Sequence, residues 1–478
     1  MRACALTVLL VTLAAVGASA QQRVSHDPVL EALVGDARAA PPEFVADALL
    51  RIAGSPKVVD REWRRELLEE AYLRAYAAHD PYRRLALSVP PDTRQGAQSR
   101  AFDVPLTRVS LQLRIAQAMT SIDTARAREM FEWIDFNLEA GTCENALVPM
   151  VDEYYATLAT LARTTFGTDT TARGDAVWFF NLYLWRAYLP TEMPAVARAL
   201  RRFRPTREEA LFLEGTLKWI LESSRRDPRG FSSVSIDFVN RMMELEDADR
   251  ELGIINWNVT RALRNYLVAQ LQGPRCSDSL SDGPAVDTFN AALRRHAIRP
   301  EVIPPLGGSE TRPSRLLGSA RIDRYWQTLD ARRLYTAGVQ LRGPGKNIPT
   351  LQERQSETWR AQAERLLTDI EQWTGQREAA ERDYFYQKAV LYTVLIDLVP
   401  QGTLRVRTLR SFVDYLRHAD RDRDGRTLWF AFVNRLLELA RSVDRRTVLD
   451  LLEESNHPVL ALYARLERVL GLDNRATD

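Results

Sequence analysis

Between Leu106 and Leu138 the apolar positions fall into two runs with helical spacing, and the same outline recurs along most of the chain. In the first run Val109, Leu111, Leu113, Ile115, Ala116, Ala118 and Met119 cover more than half of a helical wheel, while Ser110, Arg114 and Gln117 share a polar side and Gln112 stands as the exception. A helix so widely apolar needs neighbours on two sides. Thr120 to Asp123 reads as a turn in which the Asp123 carboxylate caps the free N–H groups of the next helix. In that second helix Ala127, Met130, Phe131, Ile134 and Leu138 form one stripe facing the first. The pattern predicts a helical hairpin that ends near Gly141.

The rest of the chain reads as more helices. Pro41-Pro42 opens one with Val45, Ala46, Leu49 and Leu50 inward, and Asp60 caps another through Trp63, Leu67, Leu68, Ala71, Tyr72 and Tyr76. Pro81 to Asp103 is a polar loop, and Ala146 to Phe166 is helical. Val177 to Leu189 carries Trp178, Phe179, Phe180, Tyr183, Trp185 and Tyr188; it predicts a central core helix in preference to an aromatic ligand groove. Thr206 with Glu209 is a capping box ahead of Leu213 and Trp219. Phe238 to Leu252 and Asn258 to Leu271 follow, and on the first of these Glu244, Glu246, Asp247, Asp249 and Glu251 read as a solvated acidic face. After the Gly-, Ser- and Asp-rich stretch Gly273 to Pro284 and a short helix, Val286 to His296, four prolines and three glycines in Ile298 to Gly318 predict a linker. Helices resume over Ile322–Arg342, Leu351–Trp373, Tyr384–Leu398, Thr403–Arg417, Leu428–Arg441 and Val448–Leu470, the last broken at Asn456-His457-Pro458. No run alternates as a strand does. The fold class is all-α: stacked hairpins in a degenerate α/α solenoid with two helical lobes, residues 21–297 and 319–478, joined by the linker 298–318.

The first twenty residues change this picture by naming a destination. Arg2 precedes the apolar run Cys4 to Val16, and Ala18-Ser19-Ala20 supplies a small-x-small cleavage site, so the mature chain is expected to start at Gln21, outside the cytoplasm. The run is shorter than the ~20 apolar residues of a spanning helix, so no stable membrane insertion is expected after cleavage. The 65 basic residues nearly balance the 63 acidic ones, which argues against nucleic acid as a partner. Only four of the basic residues are lysines (Lys57, Lys218, Lys346 and Lys388), and the arginines read as solvated helix faces rather than phosphate forks.

Candidate chemistry is sparse. The five histidines, His26, His79, His296, His418 and His457, lack metal-ligand spacing. No nucleophile elbow or dinucleotide fingerprint occurs: Gly307-Gly308-Ser309 lies in the linker, and Gly343-Pro344-Gly345-Lys346 fails as a phosphate loop because Gln340 takes the place of the first glycine and Asn347 that of the hydroxyl residue. Adjacent carboxylates such as Asp152-Glu153 are chance pairs. Asp420-Arg421-Asp422-Arg423-Asp424-Gly425 resembles the opening of an EF-hand-type calcium loop, yet Ala431 stands where a bidentate carboxylate is needed, and the segment reads as an inter-helix turn. Cys143 and Cys276, both in polar loops, leave open a disulfide that export would permit. No catalytic, cofactor or metal residue is assigned.

Ile115-Ala116 on the first helix of the hairpin, with Ala127 and Phe131 on the second, resembles the tetratricopeptide-type helical repeat. The family's tryptophan, its glycine and its closing proline are absent, and no fixed 34-residue period runs through the chain. The resemblance implies a scaffold that binds another protein or a peptide. The alternative from a different class is an α/α-barrel enzyme acting on polysaccharide through Asp and Glu acid–base chemistry.

Overall fold

The computed structural model describes residues 26–78, 104–136, 150–166, 169–189, 192–225, 235–254, 258–272, 328–343, 348–374, 381–418, 429–442 and 444–471, with a few positions between them. The chain is all-α. The N-terminal helices are α1 (Pro28–Arg38), α2 (Pro42–Ala53), α3 (Arg61–Ala75), α4 (Arg108–Met119), α5 (Thr124–Glu132), α6 (Val151–Thr164), α7 (Thr170–Leu184), α8 (Met193–Phe203), α9 (Arg207–Ser224), α10 (Ser235–Glu251) and α11 (Asn258–Gln272). Then come α12 (Leu329–Arg342), α13 (Leu351–Gln355), α14 (Glu357–Gln372), α15 (Glu381–Leu398), α16 (Thr403–Leu416), α17 (Phe430–Ser442), α18 (Arg445–Glu454) and α19 (Pro458–Leu470). The extended pairing among the described residues is one short parallel contact of Pro274–Arg275 with Arg315–Leu316.

Local chemistry sets the helix starts. The Asp60 carboxylate accepts from the Glu62 and Trp63 N–H groups at 2.8 and 3.3 Å, and Asp123 accepts from Arg126 N at 2.9 Å. Thr206 and Glu209 close their capping box in both directions. Asn456 takes the left-handed conformation between α18 and α19, and His457 then caps α19 through Nδ1. One expected helix divides: Ser356 is extended and caps α14, which separates it from the single turn of α13.

The organising hairpin is α4 and α5. Helix α4 packs against α2, α3, α5 and α6 and is enclosed almost all round. Ser110 and Gln112 are therefore buried, although Ser110 sits on the side expected to be polar. Helix α5 is shorter than its stripe, ending at Glu132, with Ile134 buried beyond it.

The first and last described helices meet, so the two ends of the described chain lie together. Helix α19 packs on α1 and α2, where Phe44 lies 5.1 Å from Phe430 and 6.0 Å from Tyr463 between ring centroids. Beneath these rings Asp47, fully buried, accepts from Arg51 Nε at 2.7 Å, Arg114 Nη1 at 2.9 Å and the Tyr463 hydroxyl at 2.7 Å. One carboxylate thus ties α2, α4 and α19. Burial alone would raise its pKa, but Arg51, Arg114 and Tyr463 hold it below the ordinary carboxylate range.

The leader 1–20, the loop 81–103, Cys143, Cys276 and the aspartates of 420–424 lie outside the described residues, as does the linker apart from Arg315 and Leu316; of the short helix 286–296, Asp287, Asn290, Ala291 and Arg294 are described and are helical.

Candidate functional site

Helices α6 to α11 stack in two layers, α6, α8 and α10 in one and α7, α9 and α11 in the other. Alternate helices run parallel: Arg173 pairs with Glu209 at 2.6 Å, Thr216 donates to Asn181 at 2.6 Å, and the Trp185 and Trp219 rings lie 4.4 Å apart, so positions advance together along α7 and α9. Each layer presents a distinct surface.

The surface of α7 and α9 is aromatic. Phe179, Phe180 and Tyr183 of α7 are buried, and Phe180 stacks on Phe203 of α8 at 4.5 Å. Trp178, Leu182 and Trp185 recur at helical spacing on the opposite face, joined by Tyr188 and, on α9, by Phe212 and Trp219. These six are between 43 % and 66 % exposed. The aromatic stretch is thus not the uniformly buried core helix expected from its composition; one face packs and the other meets solvent. Sequence reasoning missed the division because both faces are aromatic, although the 178, 182, 185 spacing carried it. Exposed Trp, Tyr and Leu on two neighbouring parallel helices are the residue chemistry of interaction surfaces.

Between the two layers, with α8 and α10 on one side and α9 and α11 on the other, lies a cleft of about 640 Å³. Its floor is apolar, with Leu213, Leu217, Leu245 and Val259. Helix α8 buries Val196, Ala199, Leu200 and Phe203 and turns Arg198, Arg201 and Arg202 toward the opening, where Arg204 joins them from the left-handed residue that ends the helix. Glu244 accepts from Arg201 and Arg241, at 2.8 Å each, and so bridges α8 to α10. Glu246 is buried and accepts from the Thr260 hydroxyl at 2.6 Å. The expected solvated face of α10 is therefore only partly solvated: Asp247 and Glu251 are exposed, Glu244 is paired, Glu246 is buried and Asp249 is half-buried. Helical spacing alone does not tell which side of an acidic helix a later element will cover.

Asp249 lines the cleft beside Glu214. Burial, reinforced by the neighbouring Glu214 and Glu246 carboxylates, raises it to about 7. At neutral pH its carboxyl is divided between the proton-donating and proton-accepting forms, which is the requirement for acid–base work.

The groups singled out in the sequence remain apart. His26 stacks on Trp63 at 4.1 Å, His418 lies at the exposed end of α16, and His457 caps α19. Asp152 pairs with Arg198. Gly343 ends α12 with a positive φ of 84°. Lys388 is buried and donates to the Trp373 carbonyl at 2.7 Å, closing the C-terminal end of α14 where a compact ammonium fits; burial lowers it to about 8. Among the described residues no three His, Cys, Asp or Glu side chains are grouped to hold a metal ion. No protein-family model matches the chain, and no curated protein or solved structure matches it either.

Proposed function

We propose that the protein is an exported scaffold that binds another protein or a peptide through the aromatic face of α7 and α9. The observation that carries this reading is the exposed row Trp178, Leu182 and Trp185, continued by Trp219 on the parallel helix. Solvent-facing tryptophans cost solubility, and truncating Trp or Tyr anchors at such surfaces removes on the order of 2 kcal/mol or more of binding energy each. Ties between alternate helices, which a tetratricopeptide-like array of hairpins would also make, run from 36 residues apart for Arg173–Glu209 and Glu371–Arg407, through 43 for Arg201–Glu244 and 46 for Asp152–Arg198, to 57 for Glu69–Arg126, so the array we infer is a degenerate one. The near-neutral charge balance disfavours nucleic acid, and no described helix is long and apolar enough to cross a membrane.

The test is selection of displayed peptides on the whole chain, followed by affinity measurement on a variant carrying Trp185→Ala and Trp219→Ala. A loss of at least tenfold with unchanged circular dichroism supports the reading; unchanged affinity removes it. The second reading, acid–base cleavage of polysaccharide in the cleft, draws on Asp249 alone. Glycan hydrolysis abolished by Asp249→Asn, with peptide binding intact, would favour it.

A further inference from the structure

A cavity of about 380 Å³ opens between α12, α15 and α17. Its walls are mainly apolar, with Val339 from α12, Val390, Leu391 and Val394 from α15, and Phe432 from α17. Trp326, buried ahead of α12, stacks on Tyr335 at 4.5 Å and closes one side. Gly338, inside α12, leaves part of the floor without a side chain. The Thr393 hydroxyl is spent within its own helix, donating to the Ala389 carbonyl at 3.0 Å. Three charged side chains border the space: Arg342, Asp397 and Arg435. Two of them are already matched. Arg435 donates to Asp397 Oδ1 at 2.7 Å, and its other amino group donates to Glu438 at 3.0 Å. Arg342 is the exception. It stands in the last turn of α12, exposed, with no hydrogen-bond or ion-pair partner among the described residues. A guanidinium in a last turn offsets the partial negative charge of the helix end, yet all five of its N–H groups stay available. The cavity thus combines an apolar enclosure with one unmatched positive charge at its border.

We propose that this cavity binds a free medium-chain fatty acid. The alkyl chain would lie against the valines, Leu391 and Phe432, and the carboxylate on the Arg342 guanidinium, whose planar fork matches both oxygens. A neutral alkyl compound leaves that guanidinium unmatched, and an alkyl cation is repelled by it. Size limits the ligand further. At roughly 30 Å³ for each water-sized group, the space takes on the order of a dozen non-hydrogen atoms, which is the size of decanoate. A mostly apolar cavity of a few hundred Å³ with one placed charge is the usual composition of a small-molecule site. Because three helices line it, a ligand held only by the folded chain would raise the melting temperature. None of its lining residues belongs to α7, α9 or the α8–α11 cleft, so the site stands whether or not the readings of those surfaces hold.

Calorimetry on the full chain with decanoate tests the proposal, with decanol and decylamine as controls that carry no charge and the opposite charge. Saturable decanoate binding is expected, with each control at least tenfold weaker. Arg342→Gln, at an exposed position, should weaken decanoate binding at least tenfold while circular dichroism stays unchanged. Ala431→Phe, which narrows the cavity without touching a charge, should do the same. The variant carrying Trp185→Ala and Trp219→Ala should bind decanoate as the wild type does, which separates the cavity from the aromatic face. No decanoate heat at millimolar concentration overturns the proposal. So does either control binding as tightly as decanoate, full binding by the Arg342→Gln or Ala431→Phe variant, or loss of binding in the tryptophan variant.

Discussion

Replacing Asp47 with alanine should open the seam between the two ends of the described chain. In the folded protein that carboxylate is fully buried and holds Arg51, Arg114 and Tyr463 at once. Removing one partner of a buried ion pair costs ~3–5 kcal/mol, because the partner charge stays behind. The two arginine side chains keep 25 % and 31 % of their exposure, so water recovers part of that loss. The Tyr463 hydroxyl, buried and left without its acceptor, adds ~1 kcal/mol. The expected total is ~3 kcal/mol. Tyr463→Phe alone should cost ~1 kcal/mol, since Asp47 keeps both guanidiniums. In the Asp47→Ala background the same change should recover the ~1 kcal/mol charged to the orphaned hydroxyl, leaving a coupling of ~2 kcal/mol in the double-mutant cycle. Guanidinium denaturation followed by far-UV circular dichroism measures all four proteins. A loss below ~1 kcal/mol for Asp47→Ala, or an additive cycle, would refute the clasp. The pH dependence has a fixed sign. Asp47 titrates below its ordinary range when folded, so its contribution is complete above the unfolded value of ~3.9 and is lost as pH falls through the lower folded value. The gap between wild type and Asp47→Asn should therefore close only in strongly acidic solution.

Three further outcomes follow from single sites. Gly338 lies inside α12, where an added Cβ would meet Val394 Cγ1 at 3.7 Å and Leu366 Cδ2 at 3.9 Å, ordinary contact distances; Gly338→Ala should therefore stabilise by ~0.5–1 kcal/mol, and a lower denaturation midpoint would contradict this. Asp249 binds its proton more tightly folded than unfolded, so native stability falls as pH rises from ~4 toward about 7; Asp249→Asn should raise the melting temperature above pH 7 and leave it unchanged below pH ~4. N-terminal sequencing of native material should begin at Gln21, and an intact Met1 would end the export reading.

Much of the fold was legible because helices announce themselves locally. Asp60, Asp123 and the Thr206–Glu209 box cap the helices that the apolar periodicity placed, since a cap and its N–H partners lie within three residues. Asn456-His457-Pro458 broke the last helix where its backbone preferences required. Which face of a helix meets solvent was less legible. The exposed half of the α7 aromatics and the buried Glu246 both depend on where a second helix comes to rest, and that information is spread over distant parts of the chain. The seam was not legible at all. Asp47 and Tyr463 are 416 positions apart, and neither was singled out in the sequence because nothing local to either residue marks the pairing. Local sequence determined the helices, their caps and their apolar stripes, because hydrogen bonding and side-chain spacing act over one or two turns. Only the tertiary structure decided that the first and last described helices meet, that Asp47 is paired, that Asp249 is raised and that tryptophans face outward, because burial and the charges across an interface are properties of the packed elements together.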